Sequence, residues 1–152
     1  MDAYPLIKTV HIVSATVLFG TGLGIAFFML AGMLSGVPAV RRFAAAWTVR
    51  ADFVFTLPAV LVQPLSGAWL VWRGGFDWGD CWLVATYALY VVAGLCWLPV
   101  VAIQIRLKRL LATDAPDEAL VGRLFRWWFA LGWPAFGGLV LVFHLMVAKP
   151  SW

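Results

Sequence analysis

The charged residues of this 152-residue chain are spaced so that four long stretches contain none of them. Each stretch lacks Asp, Glu, Lys and Arg over at least 20 consecutive residues. About 20 apolar residues are enough for one α-helix to cross the hydrocarbon core of a bilayer. The uncharged stretches therefore predict four transmembrane helices, near residues 7–33, 53–72, 82–105 and 127–148.

Composition excludes the other fold classes. Hydrophobic residues make up 64% of the chain and charged residues 12%, whereas a soluble domain has about 45–50% apolar and about 25% charged residues. A soluble protein this small cannot bury so much apolar surface. A closed β-barrel needs strands of alternating polarity, which these stretches lack. We therefore expect an all-α, polytopic membrane protein that forms a single four-helix bundle over residues 1–152 in the lipid bilayer.

The basic residues predict the orientation. Eight of the eleven Lys and Arg residues lie in the connections that follow the first and third helices. The positive-inside rule makes these connections cytoplasmic and leaves both termini outside, in the periplasm. The net charge of +4 then reflects topology and contact with anionic lipids, and the sequence shows no nucleic-acid-binding signature.

Both basic connections also have helical character. Residues 37–50 predict a short interfacial helix whose arginines reach toward water. In the other connection, residues 113–118 combine a capping side chain, a proline and early acidic residues, which is typical of a helix start. We expect a short amphipathic helix there that continues into the fourth span.

The only two histidines, His11 and His144, both fall within uncharged stretches. Each is about four residues from the outer end of its span, so both lie roughly 6 Å below the outer interface. Two neutral imidazoles on facing helices can hold the iron of a b-type haem, whose chemistry is electron transfer. We predict that His11 and His144 bind haem b, with a quinone or another redox partner near the periplasmic face.

Small or polar residues share the helical faces of these histidines. Ser14 and Gly22 lie in line with His11, and Gly137 lies in line with His144. Such residues let a flat cofactor approach a helix, and they equally let two helices approach each other. They are candidate cofactor-binding residues only if a flat cofactor, and not a second helix, approaches these faces.

The second span contains Pro58 and Pro64, which remove two backbone hydrogen bonds and predict a kink. Gln63 and Ser66 would satisfy the freed carbonyl groups or line a cavity. Tyr90 on the third span lies near the depth of the histidines. Gln63, Ser66 and Tyr90 therefore join the candidate cofactor-binding residues.

Other interpretations stay open. His11 could be a structural residue that bonds Ser14 or Gln63. Copper would need further soft ligands and zinc three or four ligands, and no acidic residue lies within the predicted spans. The chain has no acid–base or nucleophile constellation, so whether it is an enzyme stays open. It equally fits a non-enzymatic accessory or assembly subunit of a larger membrane complex, or a homo-oligomer.

Segments along nearly the whole chain resemble one bacterial family. They are HIVSATVLFGTGLG, LPAVLVQPLSG, YVVAGLCWLPVVAIQI, WFALGWPAF and LMVAKP. Together they are similar to the predicted integral membrane proteins called domain of unknown function 2269. The resemblance implies four membrane helices and residence in the bacterial inner membrane, and it implies no activity.

A shorter motif, Lys8–Thr9–Val10–His11, resembles the opening histidine motif of two other groups. These are the four-helix, haem-binding protoporphyrinogen oxidases and the copper-resistance membrane proteins. The resemblance implies a ligand role for His11 alone. The third span has no Lys or Arg between positions 82 and 105 to match the charged residues inside the oxidase bundle, so the oxidase activity is not implied.

Overall fold

The computed structural model describes residues 2–150, and every regular element in that range is helical. The elements in chain order are α1 (Tyr4–Leu34), α2 (Pro38–Ala51), a π-helical turn (Asp52–Thr56), α3 (Leu57–Gly74), α4 (Cys81–Leu111) and α5 (Glu118–Ala148). Four continuous helical segments in the described range are long and apolar enough to cross a bilayer. The predicted all-α, four-span fold class is confirmed.

The helices run past the limits that the charges predicted. Helix α4 continues to Leu111 instead of ending near residue 105, and α5 begins at Glu118 instead of near residue 127. Charged residues mark where a helix leaves the hydrocarbon, not where it ends. The basic residues Lys108 and Arg109 in the last turn of α4 also interact favourably with the helix dipole.

Each of the two predicted interfacial helices is continuous with the membrane span that follows it. Helix α2 forms over almost the predicted residues, but it continues through the π turn into α3, so that Pro38–Gly74 is one helical rod. It packs against α1 and α4 and buries Ala44, Ala45 and Val49. The second predicted helix is the first part of α5. Asp117 caps the start of α5, because its side chain accepts a hydrogen bond from the Leu120 N–H.

The π turn ends two residues before Pro58. Proline has no backbone N–H, so a regular α-helix would leave the Val54 carbonyl without its donor. In the π turn that directly precedes this proline, the Leu57 N–H donates to the Asp52 carbonyl five residues earlier. Such turns are rare and are frequent at functional sites. This one begins with Asp52 and ends with Thr56, and both side chains are buried.

The bundle is packed at both ends and open in the middle. Helices α4 and α5 pair along their length, α1 lies against α2 and α3, and α2 lies against α4. We call the end of the bundle that carries the α1–α2 and α4–α5 loops the basic end. Its core includes Met29, Ala45, Leu107, Val121 and Trp128. The core near the termini consists of Val71, Trp82, Leu83 and Leu145.

Two arginines of α2 join the helices at the basic end. The Arg41 guanidinium donates two hydrogen bonds to the Glu118 carboxylate, at 2.9 and 2.7 Å. Arg42 Nε donates to the Leu111 carbonyl at 3.1 Å, which satisfies one of the carbonyls left open at the end of α4. The start of α2 is thereby attached to both α4 and α5.

The contact of α1 with α2 can be tested at Gly32. A methyl group there would overlap the Ala44 Cβ, and overpacking a core costs about 1–3 kcal/mol. Gly24 on the same helix has no atom within 4 Å of such a methyl group, and alanine is about 1 kcal/mol better than glycine within a helix. We expect Gly32→Ala to lower the unfolding temperature in detergent, and Gly24→Ala to keep or raise it. Equal shifts in the two variants would contradict the close packing.

Candidate functional site

A cavity of about 380 Å³ occupies the middle of the bundle. Its wall comes from α1, the π turn, the start of α3, α4 and α5, and almost all of it is apolar. Sites for small organic ligands have volumes of about 300–1,000 Å³ and a mainly apolar wall with few polar groups. The cavity has the size and character of such a site.

Asp52 is the acidic residue in the wall of this cavity. Its side chain is 2% exposed, and neither carboxyl oxygen has a hydrogen-bond partner among the described residues. Thr56, Gln104 and Trp97 lie beside the carboxyl group on the side from which they can donate to it, but none of these contacts has the distance and angle of a full hydrogen bond. A buried polar group without a partner costs about 1–3 kcal/mol, so this cluster is unusual in a folded interior.

The neighbours of Asp52 share its lack of partners. In the described part of the chain, Thr56 Oγ1, Gln104 Oε1, Trp97 Nε1 and Trp128 Nε1 are also buried without a hydrogen-bond partner, and all four residues line the cavity. The set combines N–H and O–H donors with carbonyl and carboxyl acceptors. It can recognise a polar group of a ligand whose remainder contacts the apolar wall.

Asp52 is the functional candidate that sequence reasoning missed. The expectation that no acidic residue lies within the spans is wrong, because Asp52 is buried within the continuous Pro38–Gly74 span. A charge at the edge of an uncharged stretch normally marks the membrane interface, so the pattern favoured an interfacial position. The available signal was Pro58 six residues later, which removes a backbone hydrogen bond and disfavours a regular α-helix at this point.

Glycines on three helices leave room for the cavity. Gly22 of α1, Gly94 of α4 and Gly132 of α5 all line it, and a Cβ added at any of them would meet no atom within 4 Å. Gly22 was predicted to bind a cofactor, and the structure places it in this wall. Larger side chains at these positions would project into open space, so the small residues maintain the cavity.

Helices α1 and α5 form one loosely packed side of the cavity. These two helices make few contacts with each other; the ring of Phe19 stacks on Phe136, with centroids 4.6 Å apart, and meets Phe143 edge-on at 5.4 Å. Phe27 on α1 and Trp133 on α5 line the cavity and are also exposed. At these two side chains the wall of the cavity reaches the outer surface of the bundle.

His11 belongs to a second polar cluster, between α1 and α3. Its Nδ1 lies 2.8 Å from Ser66 Oγ, and the Ser66 hydroxyl lies 2.6 Å from the Val62 carbonyl. Assigning the single hydroxyl hydrogen to Val62 selects the tautomer in which Nδ1 carries the proton and donates to Ser66. The Nε2 nitrogen then keeps its lone pair, which is the form of imidazole that can bind a metal or accept a proton.

Two further hydrogen bonds attach α1 to α3. Gln63 Nε2 donates to the His11 backbone carbonyl at 2.7 Å, and Ser14 Oγ donates to the Ala59 carbonyl at 3.4 Å. If His11 is a structural residue, the sequence predicted Ser14 or Gln63 as the hydrogen-bond partner of its ring. In the structure the ring lies against Ser66 and the Gln63 backbone, and the Gln63 side chain bonds the His11 backbone. Gln63, Ser66 and Ser14 all act between these two helices.

Tyr90 satisfies the carbonyl that Pro64 leaves open. Proline at position 64 cannot donate to the Val60 carbonyl one turn earlier, and the Tyr90 hydroxyl donates to that carbonyl at 2.6 Å. Gln63 and Ser66 were predicted to fill this role, but a residue of α4 does so. Tyr90 also lines the cavity, so it holds α4 against α3 at the cavity wall.

The other predicted ligand, His144, lies elsewhere. His144 and Gly137 are exposed on α5, whereas the His11 ring is directed toward α3. Neither histidine lines the central cavity, and residues 2–150 contain no group of three or more His, Cys, Asp and Glu side chains that could hold a metal ion. Haem coordination by His11 and His144 stays a prediction from their shared depth.

Four long apolar helices around an interior cavity define a polytopic α-helical membrane protein. The chain belongs to a family described as predicted integral membrane protein (DUF2269), whose model matches residues 5–150. This membership confirms the resemblance drawn from the sequence segments, and the description states no activity. No curated protein and no solved structure matches the chain.

The role of Tyr90 can be tested by a double-mutant cycle. Tyr90→Phe removes the donor to the Val60 carbonyl and should lower the stability by about 1–3 kcal/mol. Pro64→Ala restores a backbone N–H that reaches the same carbonyl, so Tyr90→Phe should cost less in that background. The unfolding temperatures of wild type, both single variants and the double variant measure this coupling. Additive effects would show that Tyr90 does not act through Val60.

Proposed function

We propose that this protein binds a lipid-soluble small molecule in the central cavity. The observation that carries the proposal is the convergence of unpartnered buried polar groups, with Asp52 at their centre, on a cavity that is otherwise apolar. A packed structural core gains nothing from such groups. A ligand that bonds them and fills the apolar volume offsets their burial cost.

The wall supports binding and not covalent chemistry. The residues around Asp52 are Thr56, Gln104 and two tryptophans, which donate and accept hydrogen bonds. The described wall contains no Cys, Ser, Lys or His that could serve as nucleophile or base beside the carboxyl group. The arrangement is that of a receptor or carrier, in which the apolar wall holds the body of the ligand and the polar cluster selects its head group.

We also propose a location and orientation. The basic end carries eight of the eleven Lys and Arg residues, and the positive-inside rule places that end in the cytoplasm and both termini in the periplasm of a bacterial inner membrane. The Asp52 cluster would then lie in the cytoplasmic half of the bundle. Asp52 is about 15 Å along the rod from Arg42, which reaches the end of α4.

Two glycines of α5 provide a matched test of the cavity. Leucine at Gly132 would project into the cavity, whereas leucine at Gly137 would project from the exposed side of the same helix. Both changes improve helix propensity similarly. We expect organic extraction and mass spectrometry of the purified protein to detect a small molecule in near-equal amounts in wild type and Gly137→Leu. The amount in Gly132→Leu should fall about tenfold or more.

Unfolding temperatures of the two variants supply the control, since a misfolded Gly132→Leu protein would also lose its ligand. Equal retention by all three folded proteins would show that the molecule is bound elsewhere. Failure of wild type to retain any small molecule or to bind any added probe would reject the proposed function.

Haem b between His11 and His144 is a second proposal. The observation in its favour is that Ser66 orients the His11 ring and leaves its Nε2 lone pair available; second-shell bonds of this kind hold ligating histidines. The exposed His144 would have to turn toward α1 to complete an axial pair. When bound, haem would supply one-electron transfer to a quinone or another redox partner.

An absorption spectrum decides this second proposal. After haem-replete expression we expect a Soret band that is lost in both His11→Ala and His144→Ala. Ser66→Ala should retain the band but shift it, because the ring loses its orienting bond. Protein without a Soret band and without iron would reject haem binding, and a band unchanged in either alanine variant would reject that ligand. Copper or other metal handling would appear in the same metal analysis.

The accessory-subunit alternative has a separate test. Co-purification of further membrane proteins in mild detergent would support a place in a larger complex. A stable monomer or homodimer that still carries a small molecule would favour the binding function.

A further inference from the structure

We propose that the ligand of the central cavity is a lipophilic organic cation whose charge is bound by Asp52. This inference rests on the proposed function and adds the chemical class of the ligand. It follows from the charges around the cavity, from the aromatic side chains in its wall and from the exposure of part of that wall on the outer surface of the bundle.

Asp52 is the single formally charged residue of the described cavity wall, which contains no Lys, Arg or His. The neighbouring Arg50 does not neutralise it, because the Arg50 guanidinium lies over the Trp47 ring, 4.7 Å from its centroid. Among the described residues the one ion pair is Arg41 with Glu118, at the basic end. The carboxyl group therefore has no countercharge in the protein, and its charged form becomes favourable when a bound cation supplies one.

Aromatic rings make up much of the remaining wall. They are Phe27, Tyr90, Trp97, Trp128, Phe129, Trp133 and Phe136. The face of an aromatic ring attracts a cation, by about 0.5–1 kcal/mol at exposed sites and about 2 kcal/mol or more where water is excluded, and tryptophan is the strongest. A carboxylate together with several such rings favours a cation over an anion or a neutral ligand of the same shape.

The apolar character of the wall requires that the cation be organic. Hard inorganic cations such as Ca²⁺ take six to eight oxygen ligands, whereas the oxygen atoms near the cavity are few and come from Asp52, Thr56 and Gln104. Phe27 and Trp133, which line the cavity, are exposed on the apolar outer surface of the bundle, and we infer that a lipid-soluble ligand enters beside them. An ammonium or phosphonium ion with apolar substituents matches the carboxylate, the rings and this route of entry.

Ions of nearly equal shape and opposite charge give the test. The probes are tetraphenylphosphonium as cation, tetraphenylborate as anion and triphenylphosphine oxide as neutral compound. Their binding is measured on the full chain in nanodiscs of one lipid composition, with empty nanodiscs subtracted. We expect tetraphenylphosphonium to bind about tenfold or more tightly than either of the others.

Variants then assign the selectivity to Asp52. Asp52→Asn keeps the shape and removes the charge, so it should weaken tetraphenylphosphonium about tenfold or more and leave the neutral probe within about threefold. Asp114→Asn, in the exposed α4–α5 loop, is the matched control and should leave all three affinities unchanged. Gly94→Leu, which fills the cavity, should weaken every probe that binds there.

The outcomes separate the two proposals. If the neutral probe binds the wild-type cavity and the cation does not, the ligand class is wrong while the binding function stands. Equal or tighter binding of tetraphenylborate, or undiminished cation binding by Asp52→Asn, also overturns the cation proposal. If no probe binds above empty nanodiscs, the proposed function fails as well. Should Asp52→Asn not fold, the selectivity of the wild type among the three probes still decides.

Discussion

Backbone N–H and C=O groups inside a bilayer must find their partners within the protein, because lipid offers none. Two prolines make this demanding in the Pro38–Gly74 rod, and the structure differs from a regular helix or gains an outside donor near each of them. Near Pro58 the helix widens into a π turn, in which the Leu57 N–H reaches the Asp52 carbonyl. At Pro64 the orphaned Val60 carbonyl receives the Tyr90 hydroxyl. The first of these features determines where Asp52 and Thr56 lie, and the second attaches α4 to α3 beside the cavity.

The two ends and the middle of the bundle interior are therefore packed differently. Both ends of the bundle have apolar cores, and between them lies a volume that glycines from three helices leave open. Filling this volume with larger side chains would increase the buried apolar area. Burial of Asp52 without a partner lowers stability further. Proteins retain such unfavourable features chiefly at functional sites, which is why the middle of this bundle, and not its better-packed ends, is the candidate site.

Sequence reasoning identified most of the polar residues inside the bundle but only part of their roles. Gln63 and Ser66 were predicted to serve freed carbonyls or a cavity and Tyr90 to bind a cofactor, and all three donate to backbone carbonyls. Which carbonyl each reaches could not be predicted, because that depends on the rotation of α4 and α1 against α3. Asp52 was missed for a related reason: a charge beside an apolar stretch has the same sequence signature whether it faces water or the interior.

The sequence by itself determined the number of spans and their approximate limits, because these depend on helical rise and on where charges tolerate hydrocarbon. It also predicted an irregularity in the second span from its two prolines. Only the tertiary structure decided which residues meet, since that depends on how each helix is rotated about its axis. Rotation is set by packing of small and aromatic residues between helices. It directs His11 to Ser66, leaves His144 on the surface, and turns Asp52 into the cavity that now defines the candidate site.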